Sequence, residues 1–280
     1  FYERFIKDED ITLFSPHDVP GLYEAFGMDE FDEMYEMYER KTSISKTKIR
    51  AQELIGALLK ERAETGRIYI MNIDHCNTHS SFKDKVYMSN LCQEITLPTT
   101  PLDHIDDTKG EIALCILSAI NLGLIRDKDE LEGLCDLSVR ALDEIIDYQE
   151  YPIEAARISA ESRRSLGIGY IGLAHFLAKN HVKYDDKEAL TLVDEITEAF
   201  QYYLLKASNN LAVEKGKCEY FEMTKYSDGI LPIDTYKKDL DKIVKRKLSY
   251  DWKQLRKDIQ EHGLRHSTLS AQMPSESSSV

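Results

Sequence analysis

The chain has 280 residues, of which 42% are hydrophobic and 31% charged, a balance that folds and buries a core. Its formal net charge of −14 argues against a general binder of nucleic acid or anionic membrane, since both need a basic face, although a local anion site stays compatible with it. No apolar run approaches the roughly 20 residues of a membrane span, and the charged start FYERFIKDED lacks the h-region of a signal peptide.

In chain order, ITLFSPHDVPGLYEAF (11–26) carries two prolines and a glycine and reads as irregular structure with short turns. An acidic helix follows at 29–40. The spacing of Ile49, Leu54, Ile55, Leu58 and Leu59 predicts a helix over 45–64, stopped by Gly66. RIYIMNI (67–73) reads as a strand, DHCNTHSSFKDK as a polar loop, and 89–97 as extended chain before the turn PTTPL. EIALCILSAINLG (111–123) is almost continuously apolar, which suits a parallel strand buried on both faces. Helices are expected at 127–148, after Pro152, over 187–215 with Gly216 as its end, and through YDWKQLRKDIQEHGL. STLSAQM is a last short strand, leading into PSESSS. Strands alternating with helices imply an α/β fold rich in helix. No repeat or low-complexity linker divides the chain, so it is read as one domain.

The five cysteines (76, 92, 115, 135 and 218) are odd in number and widely spaced, which fits a reducing cytoplasm better than a disulfide scaffold. His75, Cys76 and His79 in DHCNTH include good zinc ligands, but a fourth ligand at a fitting spacing is missing, so no metal site is expected. GIGYIG (167–172) matches G-x-G-x-x-G, yet IEAARISAESRRS before it reads as helix where a dinucleotide site needs a strand. Close packing through small residues is the expected reason for these glycines. The hydroxyls and backbone N–H groups of PSESSS suit phosphate oxygens, although such loops are commonly just solvated.

SNLCQEI (89–95) is the most informative stretch. In extended chain Asn90, Cys92 and Glu94 project from one face. No cation adjoins Cys92, and the nearby Glu94 disfavours a thiolate, so nucleophilic attack is not expected. A neutral thiol that gives and takes a hydrogen atom fits better, with the carboxylate as a base on a substrate hydroxyl and the amide orienting it.

SNLCQEITLPTTPL, GEIALCILSAINLG and STLSAQMPSESSS closely resemble the large catalytic subunit of class I ribonucleotide reductases of the bacterial and phage type. DITLFSPHDVPGLYEAF, TGRIYIMNIDHCNTHS, QYYLLKASNNLA and GILPIDTYKKDLD extend the likeness along the chain. The resemblance implies part of a ten-stranded α/β barrel, residues 1–280 lying within the catalytic barrel domain, with 89–97 as a finger loop through its middle. It implies reduction of ribonucleoside diphosphates to 2′-deoxyribonucleoside diphosphates in the cytoplasm. Cys92 would be the transient thiyl radical, Glu94 the base for the 3′-hydroxyl and Asn90 a hydrogen-bond partner of substrate. Cys115 would be one of the redox disulfide pair, and Ser275, Glu276, Ser277 and Ser278 would hold the diphosphate. Ser277 stands where similar proteins often have threonine, a change that keeps the hydroxyl.

The resemblance also implies no cofactor or metal in this chain. A small di-iron tyrosyl-radical subunit would supply the radical, and thioredoxin or glutaredoxin the reductant. ATP and deoxynucleoside triphosphate effectors would bind elsewhere. Phe1 at the start and the stop just after LSAQM lead us to expect a cut chain, lacking the effector region, the partner of Cys115, the radical-relay tyrosines and the tail cysteines. Such a chain is expected not to turn over alone. The rivals are a cobalamin-dependent sister class, a non-catalytic remnant that binds nucleotide or a partner subunit, and a zinc module. Cys135 and Cys218 are expected to be plain core or surface thiols.

Overall fold

The apolar spacings and glycine stops of the sequence are realised in a computed structural model that describes residues 1–275. The chain forms two compact units, Phe1–Thr78 and His79–Val280. The division falls inside a helix, which is why no linker announces it in the sequence.

The first unit begins with α1 (Tyr2–Ile6) and β1 (Asp10–Phe14), followed by a 3-10 turn at Pro16–Asp18. Then come α2 (Glu30–Arg40), β2 (Lys46–Arg50), α3 (Ala51–Thr65) and the start of α4 (Ile73–His79). Two expectations are corrected here. Residues 46–50 are strand, not the first turn of a helix, because β-branched Thr47 and Ile49 pair antiparallel with Leu13 and Ile11 of β1. The same pairing turns Asp10–Phe14 into strand, where irregular chain was expected. Gly66 does stop α3, in the left-handed conformation at φ +68°. RIYIMNI is not a strand: residues 67–72 have no ladder partner among the described residues, and Ile73 already opens α4. Val19, Leu22 and Tyr38 form this unit's small core, edged by Phe14, Phe31, Met34, Tyr35 and Ile44.

The second unit is built on β3 (Ile116–Asn121), α5 (Glu130–Tyr148), α6 (Glu154–Arg163) and β4 (Leu166–Ile171). It continues through α7 (Leu173–Lys179), α8 (Lys187–Lys215), the single turn α9 (Pro232–Thr235) and α10 (Trp252–His262). β3 and β4 run parallel, from Ile116 opposite Leu166 to Asn121 opposite Ile171. The expected strand at 111–123 is thus shorter. Glu111 instead bridges Thr100, and Leu117 remains 41% exposed, so the strand is not covered on both faces. The segment after α10 lies along β4, where Leu166 and Ile168 donate N–H groups to Thr268 O (3.1 Å) and Leu269 O (2.8 Å). It joins β4 through one parallel bridge, Ile168 to Ser270, rather than a full strand.

The core is one continuous cluster. Leu131, Val139 and Ile146 of α5, Ile196, Phe200 and Leu204 of α8, and Leu166 and Ile168 of β4 are all buried in it. Leu131 and Ile146 of α5 and Ile196, Phe200 and Leu204 of α8 lie on the stripes that helical spacing picks out, and burial of this cluster supplies most of the drive to fold. The α/β class is as expected. Among the described residues the strands form two two-stranded sheets and no closed barrel.

Candidate active site

SNLCQEI is a tight turn, not the extended segment its alternation suggested. Asn90 N–H donates to Ile95 O at 3.2 Å, and Gln93 N–H to Asn90 O at 3.2 Å. The side-chain oxygen of Asn90 accepts from Ile95 N–H at 3.1 Å, and Gln93 sits at φ +62°. A short polar side chain bonding to nearby backbone competes with extended structure in this way. The three side chains therefore do not line one strand face. Cys92 lies at the exposed tip, next to a Leu91 that is 86% exposed. Glu94 turns inward, and its Oε2 is buried without a hydrogen-bond partner among the described residues. A hollow of about 380 Å³ opens beside the turn, lined by Met88, Ser89, Asn90, Ile95, Thr100 and Glu111.

Cys115 is set differently. It precedes β3, half-buried, and the backbone of Gly167 on β4 lies against it: a Cβ added at Gly167 would stand 2.9 Å from the thiol sulfur. Burial, and then the charge of Glu94, push this thiol up to about 12. Cys115 is therefore protonated at neutral pH, and Glu94 is the group through which the finger turn reaches it. At Gly169 an added Cβ would meet Ala271 O at 2.5 Å. GIGYIG is thus a strand whose glycines admit close neighbours, as expected, and the helix before it is α6.

Ser275 is described, whereas Glu276, Ser277 and Ser278 lie outside the described residues. DHCNTH is helical, in α4, rather than a loop, with Cys76 N–H donating to Asn72 O at 3.0 Å. His75 and His79 thus stand one turn apart, yet no group of three or more His, Cys, Asp or Glu able to hold a metal is found among the described residues. His79 contacts Thr235 O through its Nδ1. Burial, and then Asp74, raise the Cys76 thiol. Cys135 and Cys218 are both buried, and burial lifts each to about 12.

One constellation escaped the sequence reading. Arg164 follows and caps α6 at φ +49° and donates to Asp143 Oδ1 at 2.7 Å and to Asp147 at 2.7 Å. His266 Nε2 stands 3.2 Å from Asp143 Oδ1, and its Nδ1 meets Ser208 Oγ at 2.9 Å. Burial alone would raise the Asp143 carboxyl, but His266 and Arg164 outweigh it and hold it well below the usual carboxylate range. Burial lowers His266 to about 4, against the pull of Asp143. Ser208, His266 and Asp143 have the residue types of a hydrolytic triad, but each is 0% exposed, so no substrate reaches them. Their work is to tie α5, α8 and the final segment together. The only sequence signal was the pair Arg163-Arg164 between apolar elements, which a composition-based reading passes over.

The site thus defines a class: an α/β protein that sets a turn bearing one exposed thiol beside a half-buried carboxylate and a second, protonated thiol. The model of the ribonucleotide reductase barrel domain matches residues 1–280 in full, and the chain belongs to that family. Over 99% of its length it is 60% identical to the ribonucleoside-diphosphate reductase subunit alpha of Haemophilus influenzae. It is 58% identical to the corresponding subunit 1 alpha of Escherichia coli and 45% to subunit alpha of Enterobacteria phage T4. The chain spans 37% of the length of each of these relatives. No helix among the described residues is long and apolar enough to cross a membrane.

Proposed function

We propose that this chain is the catalytic segment of an aerobic ribonucleoside-diphosphate reductase large subunit. The observation that carries the reading is the inward Glu94 carboxylate: it lies on the same turn as Cys92 and close enough to Cys115 to raise its thiol. In this reading Cys92, as a thiyl radical, takes the 3′-hydrogen of the substrate ribose. Glu94 accepts the 3′-hydroxyl proton, which assists departure of the 2′-hydroxyl as water. Asn90 orients the substrate, and Ser275, Glu276, Ser277 and Ser278 hold its diphosphate. Cys115 and a second cysteine outside this chain supply two electrons and two protons, one to the leaving 2′-hydroxyl and one to C2′, and become a disulfide. Cys92 then returns its hydrogen atom to C3′ and is again a thiyl radical, while Glu94 gives its proton back to the 3′-oxygen. A thiol held protonated by burial is in the form that can give hydrogen.

Exclusion of water around the radical needs more enclosure than an exposed turn provides. We therefore read the second unit as part of a ten-stranded barrel whose remaining strands come from sequence outside these residues, the whole chain belonging to one catalytic barrel domain. The radical would arrive from a di-iron tyrosyl-radical subunit, the reductant would be thioredoxin or glutaredoxin, and effector nucleotides would bind outside this segment, in the cytoplasm. The 280 residues alone are expected not to turn over.

The test mixes this chain with separately made flanking segments and the radical subunit, and assays reduction of a ribonucleoside diphosphate. Activity that disappears with Cys92→Ser supports the reading. Co-purifying pieces without activity would replace it with a non-catalytic remnant that binds nucleotide or partner.

A further inference from the structure

We propose that Arg163 is a positioning residue that locks together the three segments carrying the candidate site: the approach to the finger turn, the approach to Cys115 and the approach to the serine loop. The proposal rests on the catalytic reading above for its consequence, but on geometry for its substance. Arg163 is the last residue of α6 and is 2% exposed. Its Nε donates to Glu111 Oε2 at 2.6 Å and its Nη2 to Glu111 Oε1 at 3.0 Å, a two-pronged grip on the residue four before Cys115. The same Nη2 stands 2.9 Å from Asp84 Oδ2, eight residues before Cys92. Its backbone carbonyl accepts the Ser267 N–H at 2.9 Å, eight residues before Ser275.

The guanidinium also lies near the rings of Phe82 (5.9 Å) and Tyr220 (5.1 Å), which wall it off from water. Burial alone would lower its pKa, but the hydrogen bonds and charges of Glu111 and Asp84 outweigh it and raise it.

An ordinary buried ion pair joins two elements. This one joins three segments that are far apart in sequence. Only an arginine can do it, because a lysine ammonium is a point charge and cannot grip Glu111 with two parallel N–H groups while reaching Asp84. Glu111 in turn lines the hollow beside Asn90 and bridges Thr100, so its placement bears on the finger turn from both sides. A shift of Arg163 would move Cys115 and Glu94 relative to each other while leaving the core between α5 and α8 untouched.

The test uses the complete natural polypeptide that carries these residues and measures alkylation of each cysteine by mass spectrometry in Arg163→Lys and Glu111→Gln. Cys135 and Cys218 serve as internal reporters of general opening, since both are buried elsewhere in the same unit. The expected result is about a tenfold rise in Cys115 alkylation with Cys135 and Cys218 still protected, the signature of a local rather than global opening. Equal rises at all three thiols would show a merely structural role and overturn the proposal, as would no change at Cys115 in both variants. Should Arg163→Lys fail to fold, Glu111→Gln alone decides, because it removes one prong set and leaves the Asp84 pairing. The catalytic reading fails separately, if Cys92→Ser still reduces ribonucleotides; the alkylation pattern would then still judge the lock.

Discussion

The two thiols of the candidate site are supported in opposite ways. Cys92 is exposed at the tip of a turn closed by three hydrogen bonds, all among Asn90, Gln93 and Ile95. Cys115 sits against Gly167 at the edge of a parallel strand pair, behind an arginine lock and over a buried core. The difference teaches where each position is specified. The placement of Cys115 is written into packing within the second unit, so changes there cost folding energy. The placement of Cys92 is written into local turn chemistry, so changes there cost function and little else. A reactive group is commonly carried on such a loop while a rigid scaffold sets its base.

The sharpest way to break this comparison is at Cys92 itself. Cys92→Ser in the assembled enzyme should lower ribonucleotide reduction by about 10⁴-fold or more, the scale of losing a group essential to bond breaking. The unfolding midpoint should stay in place, because the side chain is exposed. A large stability loss without loss of turnover would reverse the assignment of roles.

Acid should act on the scaffold instead. His266 titrates near 6.5 when unfolded and is lowered to about 4 when folded, so between these values the unfolded chain binds more protons. Its contribution is therefore complete above pH 6.5 and is lost as pH falls toward 4, amounting to about 3 kcal/mol. Asp143, held below its ordinary value, adds a loss of the same sign at still lower pH. Denaturant unfolding of His266→Gln against the parent from pH 7 to 4 checks this. Equal pH slopes in the two proteins would refute it.

Gly167→Ala tests the packing beside Cys115. The new methyl would meet Leu117 Cδ2 at 2.5 Å and Cys115 Sγ at 2.9 Å. Overpacking of this kind costs about 1–3 kcal/mol. A neutral result in chemical denaturation would mean that the strand pair yields more easily than a buried core should.

Much of this scaffold was legible in the sequence. The stripes of 127–148 and 187–215 identified α5 and α8, because long amphipathic helices carry many concordant apolar positions. Gly66 and Gly216 marked the ends of α3 and α8. Short elements were less legible. Lys46–Arg50 was drawn into a helix because five residues carry too little pattern to outweigh the longer stripe beside them. In the site, the residue types of N-x-C-x-E and Cys115 could be read directly, but their geometry could not. Alternation predicted an extended row, whereas the Asn90 side chain closes a turn. Arg163, Arg164, Asp143 and His266 stayed hidden because their partners are 17 to 123 residues away, and charged residues read as surface until burial is known.

The smallest expected effect lies at the turn tip. Leu91 is 86% exposed, so Leu91→Ser removes no buried apolar surface and should change stability by less than about 0.5 kcal/mol. Gln93 at φ +62° is a non-glycine residue in the left-handed region. Gln93→Gly relieves that strain, but it also loosens the unfolded chain, and the two effects, each about 1 kcal/mol, nearly cancel. Gln93→Val cannot adopt this conformation cheaply and should cost about 1–2 kcal/mol in folded-state strain unless the turn reshapes. The three variants together read how strongly the turn is held. If Leu91→Ser proved costly, the tip would be buried against something in the folded protein, and the contrast between a free-standing Cys92 and a scaffolded Cys115 would fail. If all three follow these expectations while turnover falls in Gln93→Val, the turn is specified by its own backbone, and its shape matters to the chemistry rather than to the fold.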